Sequence, residues 1–400
     1  MRTRTLLPPV LVRGVLVLGV LVLGLAACST TVVRHPAPVA VGEAPPPAAT
    51  DIAREQLRFE QRPPAAADGY RPPLKLAVLL PLAGDLARAA VPVRDGVLAG
   101  YYAESRQRPE IRFYDTATGA LQAYDRAVAD GADFVLGPLG REEVGALFRR
   151  GALQVPVLAL NRANIPPPPG SASFSLAPED DGIAAAGFLL ERNARRVLVL
   201  ADSDDSMQRA ATAFRDSFTQ QGGEIVAQLQ VGEDIWNMGG ALEQAAAAEG
   251  GIDAVFMALR PHQAAALAPQ LAVAGLGGTL RVATSQLASA RPEQTADHAL
   301  DGIAFPSDAW EVRSVAGLPS ARSAAELLPS ARGAAQRLFA FGHDAWLVTA
   351  YLERLVDGSG ASLPGATGGL RLDAAGNVVR APAWSTYDGS TAQPLGHAGG

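Results

Sequence analysis

The chain has 400 residues, 48% hydrophobic and 18% charged, with 41 glycines and 30 prolines, which excludes collagen-like repeats and wholesale disorder. Lys75 is the only lysine, and 34 basic against 40 acidic side chains leave a net charge of −6, excluding the basic footprint of a nucleic-acid binder. The single cysteine, Cys28, rules out an internal disulfide framework and a multi-cysteine metal site.

Arg2, Arg4 and Arg13 precede an uncharged apolar run over 14–27, which ends in Leu25-Ala26-Ala27-Cys28-Ser29. A basic start, an apolar run too short to span a bilayer comfortably and small residues before a cut site predict a signal peptide over 1–27. Small residues with cysteine directly after the cut resemble the bacterial lipobox. That resemblance implies a diacylglycerol on the Cys28 thiol and a further fatty acyl chain, such as palmitate, on the new amino terminus. Three acyl chains exceed what reversible membrane binding allows, so anchoring is expected to be stable. Ser29 in place of an aspartate resembles lipoproteins sorted to the outer membrane, with the body facing the periplasm. An alternative is a signal anchor with an incidental buried cysteine. Loss of Arg2, Arg4 and Arg13 with the leader shifts the net charge from −6 to −9.

Residues 28–73 are rich in Pro, Ala and Val, with Pro45-Pro46-Pro47, Pro63-Pro64 and Pro72-Pro73, and only 51–61 reads as a short helix. Such a stretch favours extended polyproline geometry at about 3.1 Å per residue, so a tether of this length reaches on the order of 140 Å.

At Leu74 the texture changes to alternating strand and helix patterns, less regular after Ser285, and the folded body is expected to occupy 74–400. Strands are predicted at 75–80 (KLAVLL), 111–114, 133–136 and 155–160 (VPVLAL), with helices near 93–102, 121–129 and 141–150. Glu179-Asp180-Asp181 opens a second run, with strands at 197–200, 224–228, 254–259 and 280–283 and helices at 206–220, 241–248 and 263–274. Near-continuous apolar strands separated by helices predict parallel sheets covered on both faces. The expected architecture is therefore α/β with two lobes, the first mainly 74–172 and the second mainly 173–284. Beyond 284 the chain is expected to cross between lobes. It should include a strand at 302–306, an irregular excursion over 314–331, a helix over 333–356 that Gly342 breaks, and a hairpin pairing 369–372 with 377–384.

The search for catalytic chemistry returns negatives, and the expectation is a protein that is not an enzyme and has no metal or cofactor. His35, His262, His298, His343 and His397 form no metal-ligand spacing, and no GxSxG, Walker or GxGxxG motif occurs. His343-Asp344 lies in an apolar helix and reads as packed. Glu179 to Asp181 and Asp202 to Asp205 sit at strand–helix junctions, where helix capping accounts for them, a weak cation contact at the second being the alternative. In open α/β sheets ligands bind at the carboxyl ends of the strands. The candidate cleft-lining residues are therefore Pro81, Leu82, Gly84, Gly137, Pro138, Leu139, Asn161 and Ser285.

Leu79-Leu80-Pro81-Leu82-Ala83-Gly84 and Val93-Arg94-Asp95-Gly96 resemble the opening of type I periplasmic binding proteins. Phe113 to Thr116, Gly131 to Leu139, Pro156 to Asn161, Phe174 to Asp180, Ala283 to Ser285 and Asp301 to Phe305 narrow the match. Together they resemble the carboxyl-terminal domain of the LppC/LpoA family of penicillin-binding protein activators, over about 74–388. The resemblance implies a two-lobed periplasmic-binding-protein-like fold and an outer-membrane lipoprotein. It also implies a class A penicillin-binding protein (a peptidoglycan synthase) as partner, activated by contact. Family members often carry a helical-repeat amino-terminal domain, and 29–73 is too short to contain one. Transport-type relatives present Ser or Thr after the third strand to hold an amino acid, whereas Gly137-Pro138-Leu139-Gly140-Arg141 stands here. The alternative reading is a lipid-anchored solute-binding protein for amino acids or small peptides.

Overall fold

The computed structural model describes residues 57, 59, 61–232, 234–289, 298–357, 361–389 and 391–396. The leader, Cys28, most of the tether and His397 lie outside the described residues. Among the described residues no helix is long and apolar enough to cross a membrane.

The chain enters a first sheet through β1 (Lys75–Leu80), α1 (Ala87–Ala103), β2 (Glu110–Asp115), α2 (Ala120–Ala129), β3 (Phe134–Leu136), α3 (Arg141–Phe148), β4 (Val157–Ala159) and β5 (Ala172–Phe174). It then passes to a second sheet through α4 (Pro178–Glu191), β6 (Arg196–Asp202), α5 (Asp205–Gln220), β7 (Glu224–Val231), α6 (Gly239–Ala246), β8 (Ala254–Ala258), α7 (Pro261–Val273), β9 (Leu280–Ala283) and β10 (Ile303–Ser307). Short helices α8 (Ala309–Val312) and α9 (Ala321–Leu327) lead back to the first lobe, where α10 (Ala334–Asp357), β11 (Leu363–Pro364), β12 (Gly369–Leu372) and β13 (Asn377–Ala381) follow. β14 (Ala383–Asp388) and β15 (Thr391–Pro394) finish in the second sheet.

The first sheet has the order β11-β12-β13-β5-β4-β3-β1-β2 and the second β15-β14-β10-β9-β8-β6-β7. Both are parallel in their interiors. Antiparallel strands edge them: β11 and β12 on β13 in the first, β14 and β15 beside β10 in the second. The expected all-parallel sheets are thus mixed at one edge, because the returning chain adds its strands as hairpins, which need no crossover helix.

Period-two alternation with both faces buried explains the apolar runs. Leu76, Val78 and Leu80 of β1 face a core with α1 and α10, while Ala77 and Leu79 face the core under α2 and α3. In β6, Leu198 and Leu200 turn to one face of the second sheet and Val197, Val199 and Ala201 to the other. In the first lobe α1 packs on α10 at backbone distance. A Cβ on Gly96 would lie 2.0 Å from the Phe339 carbonyl oxygen, and one on Gly342 2.0 Å from that of Val93. Gly342 therefore does not break the helix as expected; it is the contact that lets two helices touch, and the bend comes later, at Tyr351.

Four other expectations are corrected. The first lobe begins before Leu74, because Leu57, Arg62 and Tyr70 are buried in it and Arg71 pairs with Glu353 at 2.5 Å. The body therefore claims the end of the predicted tether, whose apolar and aromatic side chains find a pocket that a composition count does not reveal. The first lobe also keeps β5, so the boundary falls after Phe174 rather than at 172. The excursion over 314–331, exposed at most of its positions, is not irregular throughout: it carries α9 and is anchored from within. Val315, Ala324 and Ala331 form a small core with Trp310 and Phe339, and the Trp310 indole N–H donates to the Pro319 carbonyl at 2.8 Å. Lastly, the predicted hairpin ends at Ala381: Pro382 carries the chain across to the second sheet, where β14 pairs antiparallel with β10. The chain therefore passes between lobes three times, at 175–177, 308–333 and Pro382.

Candidate functional site

The crossings bring charged residues from distant parts of the sequence to one place. Pro178, with its fixed φ, opens α4 and sets Glu179, Asp180 and Asp181 in the first turn. These acids were expected to cap the helix, but α4 has no side-chain cap. They are instead ion-paired. Glu179 meets Arg209 of α5 at 3.2 Å and Arg141 of α3 at 3.9 Å. Asp180 meets Arg162 at 3.2 Å and Arg380 of β13 at 3.8 Å. Burial pushes the Asp180 carboxyl above its ordinary range, against the pull of those two arginines. Asp181 accepts hydrogen bonds from the Ser285 N–H at 3.0 Å and the Ser285 hydroxyl at 2.5 Å. Three arginines of the first lobe, Arg141, Arg162 and Arg380, thus converge on one turn of the second. In the other acidic run Asp204 does cap α5, accepting from the Ser206 N–H at 2.9 Å, and Asp202 and Asp204 pair with Arg260.

Beside this turn lies a cavity of about 700 Å³. Its walls are the ends of β9 and β10 (Thr284, Ser285, Ser307, Asp308), Glu311 of α8, Ser206 and Met207 of α5, and the start of α10 with Gln336, Arg337 and Leu338. Arg337 reaches in from α10: its guanidinium donates to the Ser285 hydroxyl, lies 3.6 Å from Asp181 and 3.9 Å from Asp308. Asp308 is 6% exposed, and burial pushes its carboxyl up to about 6, opposed by Arg337 and Arg380.

Of the eight predicted cleft residues, Ser285 lines this cavity and the other seven do not. Pro81 is buried at the end of β1, while Leu82 and Gly84 stand exposed, with the Leu82 N–H donating to Asp115 at 2.9 Å. Gly137, Pro138 and Leu139 are buried and tied to their neighbours. The Gly137 N–H donates to the Leu158 carbonyl at 2.8 Å, the Leu160 N–H to Pro138 at 3.0 Å and the Asn161 side-chain amide to Leu139 at 2.9 Å. Asn161 also accepts from the Arg162 N–H at 2.9 Å, beside the arginine that reaches Asp180. This loop therefore supports the interlobe charges from behind instead of facing the cavity. Sequence reasoning missed Asp308, Glu311 and Arg337. The carboxyl-end rule for strands pointed to Asp308, which follows β10 directly; Arg337 had no such signal, lying on a helix of another lobe.

His343 and Asp344 are buried, the His343 Nδ1 stands 3.4 Å from the Asp344 Oδ1, and Asp344 is spent on structure. It accepts from the Ala366 N–H at 2.6 Å and from the Thr367 N–H and hydroxyl, each at 2.7 Å, fixing the turn before β12. Among the described residues no group of three or more His, Cys, Asp or Glu is placed to hold a metal ion.

Comparison with known proteins adds identity to this geometry. A curated relative from Dickeya chrysanthemi (strain Ech1591), "Penicillin-binding protein activator LpoA", is 27% identical over 319 residues, covering 69% of this chain and 46% of the relative. The chain thus spans about half the length of the curated relatives it matches. The solved carboxyl-terminal domain of LpoA (YraM) from Haemophilus influenzae, described as a regulator of PBP1A, superposes with a TM-score of 0.70 at 23% identity, covering 80% of this chain and 99% of that one. A Chromobacterium violaceum protein described as "a putative branched-chain amino acid ABC transporter" superposes with a TM-score of 0.61 at 28% identity, covering 78% of this chain and 100% of that one. The fold is therefore the two-lobed, periplasmic-binding-protein-like α/β fold. A family model described as "LppC putative lipoprotein" matches residues 70–390, and the chain belongs to the LppC family.

Proposed function

We propose that the chain is a lipid-anchored regulator of peptidoglycan synthesis that binds a class A penicillin-binding protein and activates it, catalysing no reaction itself. The observation that carries this reading is the match of most of the two-lobed body to curated relatives named penicillin-binding protein activators. Activation is allosteric in this reading: the regulator binds one state of the synthase more tightly and shifts its population. The buried Asp344 carboxylate beside His343, committed to holding the turn at 365–367, is consistent with a protein that does no chemistry. Lipidation at Cys28 would place the body on the periplasmic side of the outer membrane. With Leu57, Arg62 and Tyr70 buried in the first lobe, the reach left to residues 28–56 in polyproline geometry is about 90 Å, shorter than the figure for the whole tether.

Pull-down with class A synthases followed by a glycan-polymerisation assay tests the reading; binding with stimulation is expected, and neither one would end it. Cys28→Ala is expected to release the protein from the membrane fraction, and unchanged retention would refute the anchor. The second reading, a solute-binding protein, is favoured by the likeness to the Chromobacterium protein and by the 700 Å³ cavity. A thermal-shift screen with amino acids and peptides separates the two, because a tight ligand raises stability by mass action.

A further inference from the structure

The titratable groups on the cavity wall are Asp181, Asp308, Glu311 and Arg337, three carboxylates against one guanidinium. Asp181 is satisfied by Ser285 and Arg337, and Glu311 accepts from the Gln336 side-chain amide at 3.1 Å. Asp308 is different. It is buried to 94%, it lines the cavity, and no described residue donates a hydrogen bond to its carboxylate. Its nearest cation, the Arg337 Nε, stands 3.9 Å away, beyond hydrogen-bond reach, and that Nε is itself buried without a partner. A buried carboxylate without donors is costly and calls for a partner from within the cavity.

The excess of carboxylates selects the sign of that partner. An anion entering here would meet more carboxylates than guanidiniums on the wall, and a neutral group gains only ordinary hydrogen bonds. An ammonium supplies the missing donors and the missing positive charge together. Met207, Ala210 and Leu338 give the remaining wall an apolar strip that suits an aliphatic stem. We propose that the interlobe cavity binds a small organic cation, a primary amine on a short aliphatic chain, with its ammonium on Asp308. This site is independent of synthase binding and is tested on the chain alone.

The experiment is calorimetric titration of the full chain at pH 7.5 with cadaverine and n-butylamine, with n-butanol as the neutral control and glutarate as the anionic one. One saturable site for the amines is expected, with no binding of n-butanol or glutarate. Asp308→Asn is expected to weaken the amines at least about tenfold, the scale of one charge-assisted hydrogen bond. A second measurement needs no variant. Arg337 and Arg380 face Asp308 as cations, with Asp181, Asp344 and Glu311 as the other titratable neighbours. Amine affinity in the unaltered protein should fall as pH drops through the Asp308 carboxyl's titration near 6. Absence of amine binding up to ~10 mM, where a millimolar ligand would already stabilise measurably, would overturn the proposal. So would glutarate binding as tightly as cadaverine, or amine affinity unchanged in Asp308→Asn or at pH 5.

Discussion

Asp308→Asn should make the protein more stable at neutral pH, although it removes a charged partner of Arg337. The carboxyl is lifted from 3.8 to about 6, chiefly by burial, with Arg337 and Arg380 pulling down and Asp344 and Asp181 pushing up. A carboxyl raised in the folded state holds its proton more tightly there than in the unfolded chain. Its contribution is therefore most favourable below the unfolded value and is lost as pH rises through the folded one. At about 1.4 kcal/mol per pH unit, the ionised group costs the fold about 3 kcal/mol at pH 7.5, roughly half of that at pH 5 and under about 1 kcal/mol at pH 4. Asparagine imitates the protonated form at every pH. Urea denaturation of both proteins across this range should show the variant ahead by about 3 kcal/mol at pH 7.5, equivalent to on the order of 5 °C in melting temperature. The advantage should shrink steadily towards pH 4. Equal stability at pH 7.5, or an advantage that does not depend on pH, would refute the electrostatic account. A residue kept at such a cost is what a binding group looks like when its ligand is absent.

Three further outcomes follow from packing and hydrogen bonding. Gly342→Ala sets a Cβ 2.0 Å from the Val93 carbonyl oxygen and forces α1 and α10 apart, so it should cost about 3 kcal/mol in urea denaturation, whereas Gly187→Ala, with nothing within 4 Å, should be neutral or stabilising by about 0.5–1 kcal/mol. A chain beginning at Leu74 loses the buried Leu57 and Tyr70, each about 1.5–3 kcal/mol, and leaves Glu353 without Arg71; an unchanged denaturation midpoint would place the start of the folded body at Leu74 after all. Asp344→Ala strands two backbone N–H groups and the Thr367 hydroxyl and should cost about 3 kcal/mol or more, with faster hydrogen exchange at Ala366 and Thr367; a stable variant with protected amides would refute the anchoring role.

Much of the fold was legible because its signals are local. The strands at 75–80, 254–258 and 280–283 declare themselves as apolar runs between turn residues, and Pro178 with its acids marks the start of α4. The candidate site was legible only at Ser285. The loop at 137–139 obeyed the carboxyl-end rule and was still turned inward, because Leu158, Leu160 and Asn161 claim its backbone. Acids read as helix caps became ion-pair partners because arginines near 141, 162 and 380 arrive from the other lobe. No spacing along the chain encodes those meetings.

What the sequence by itself determined is the alternation of strand and helix, the two-lobed class and the resemblance to the LppC family, since apolar periodicity and short ordered motifs are properties of neighbouring residues. The tertiary structure alone decided where the first lobe starts and that Gly342 joins two helices instead of ending one. It alone placed Asp308, Glu311 and Arg337 around one cavity. The physical reason is the three crossings of the chain: they set residues that are far apart in sequence within ångströms of each other, and burial then decides which of their charges are paired and which is left waiting.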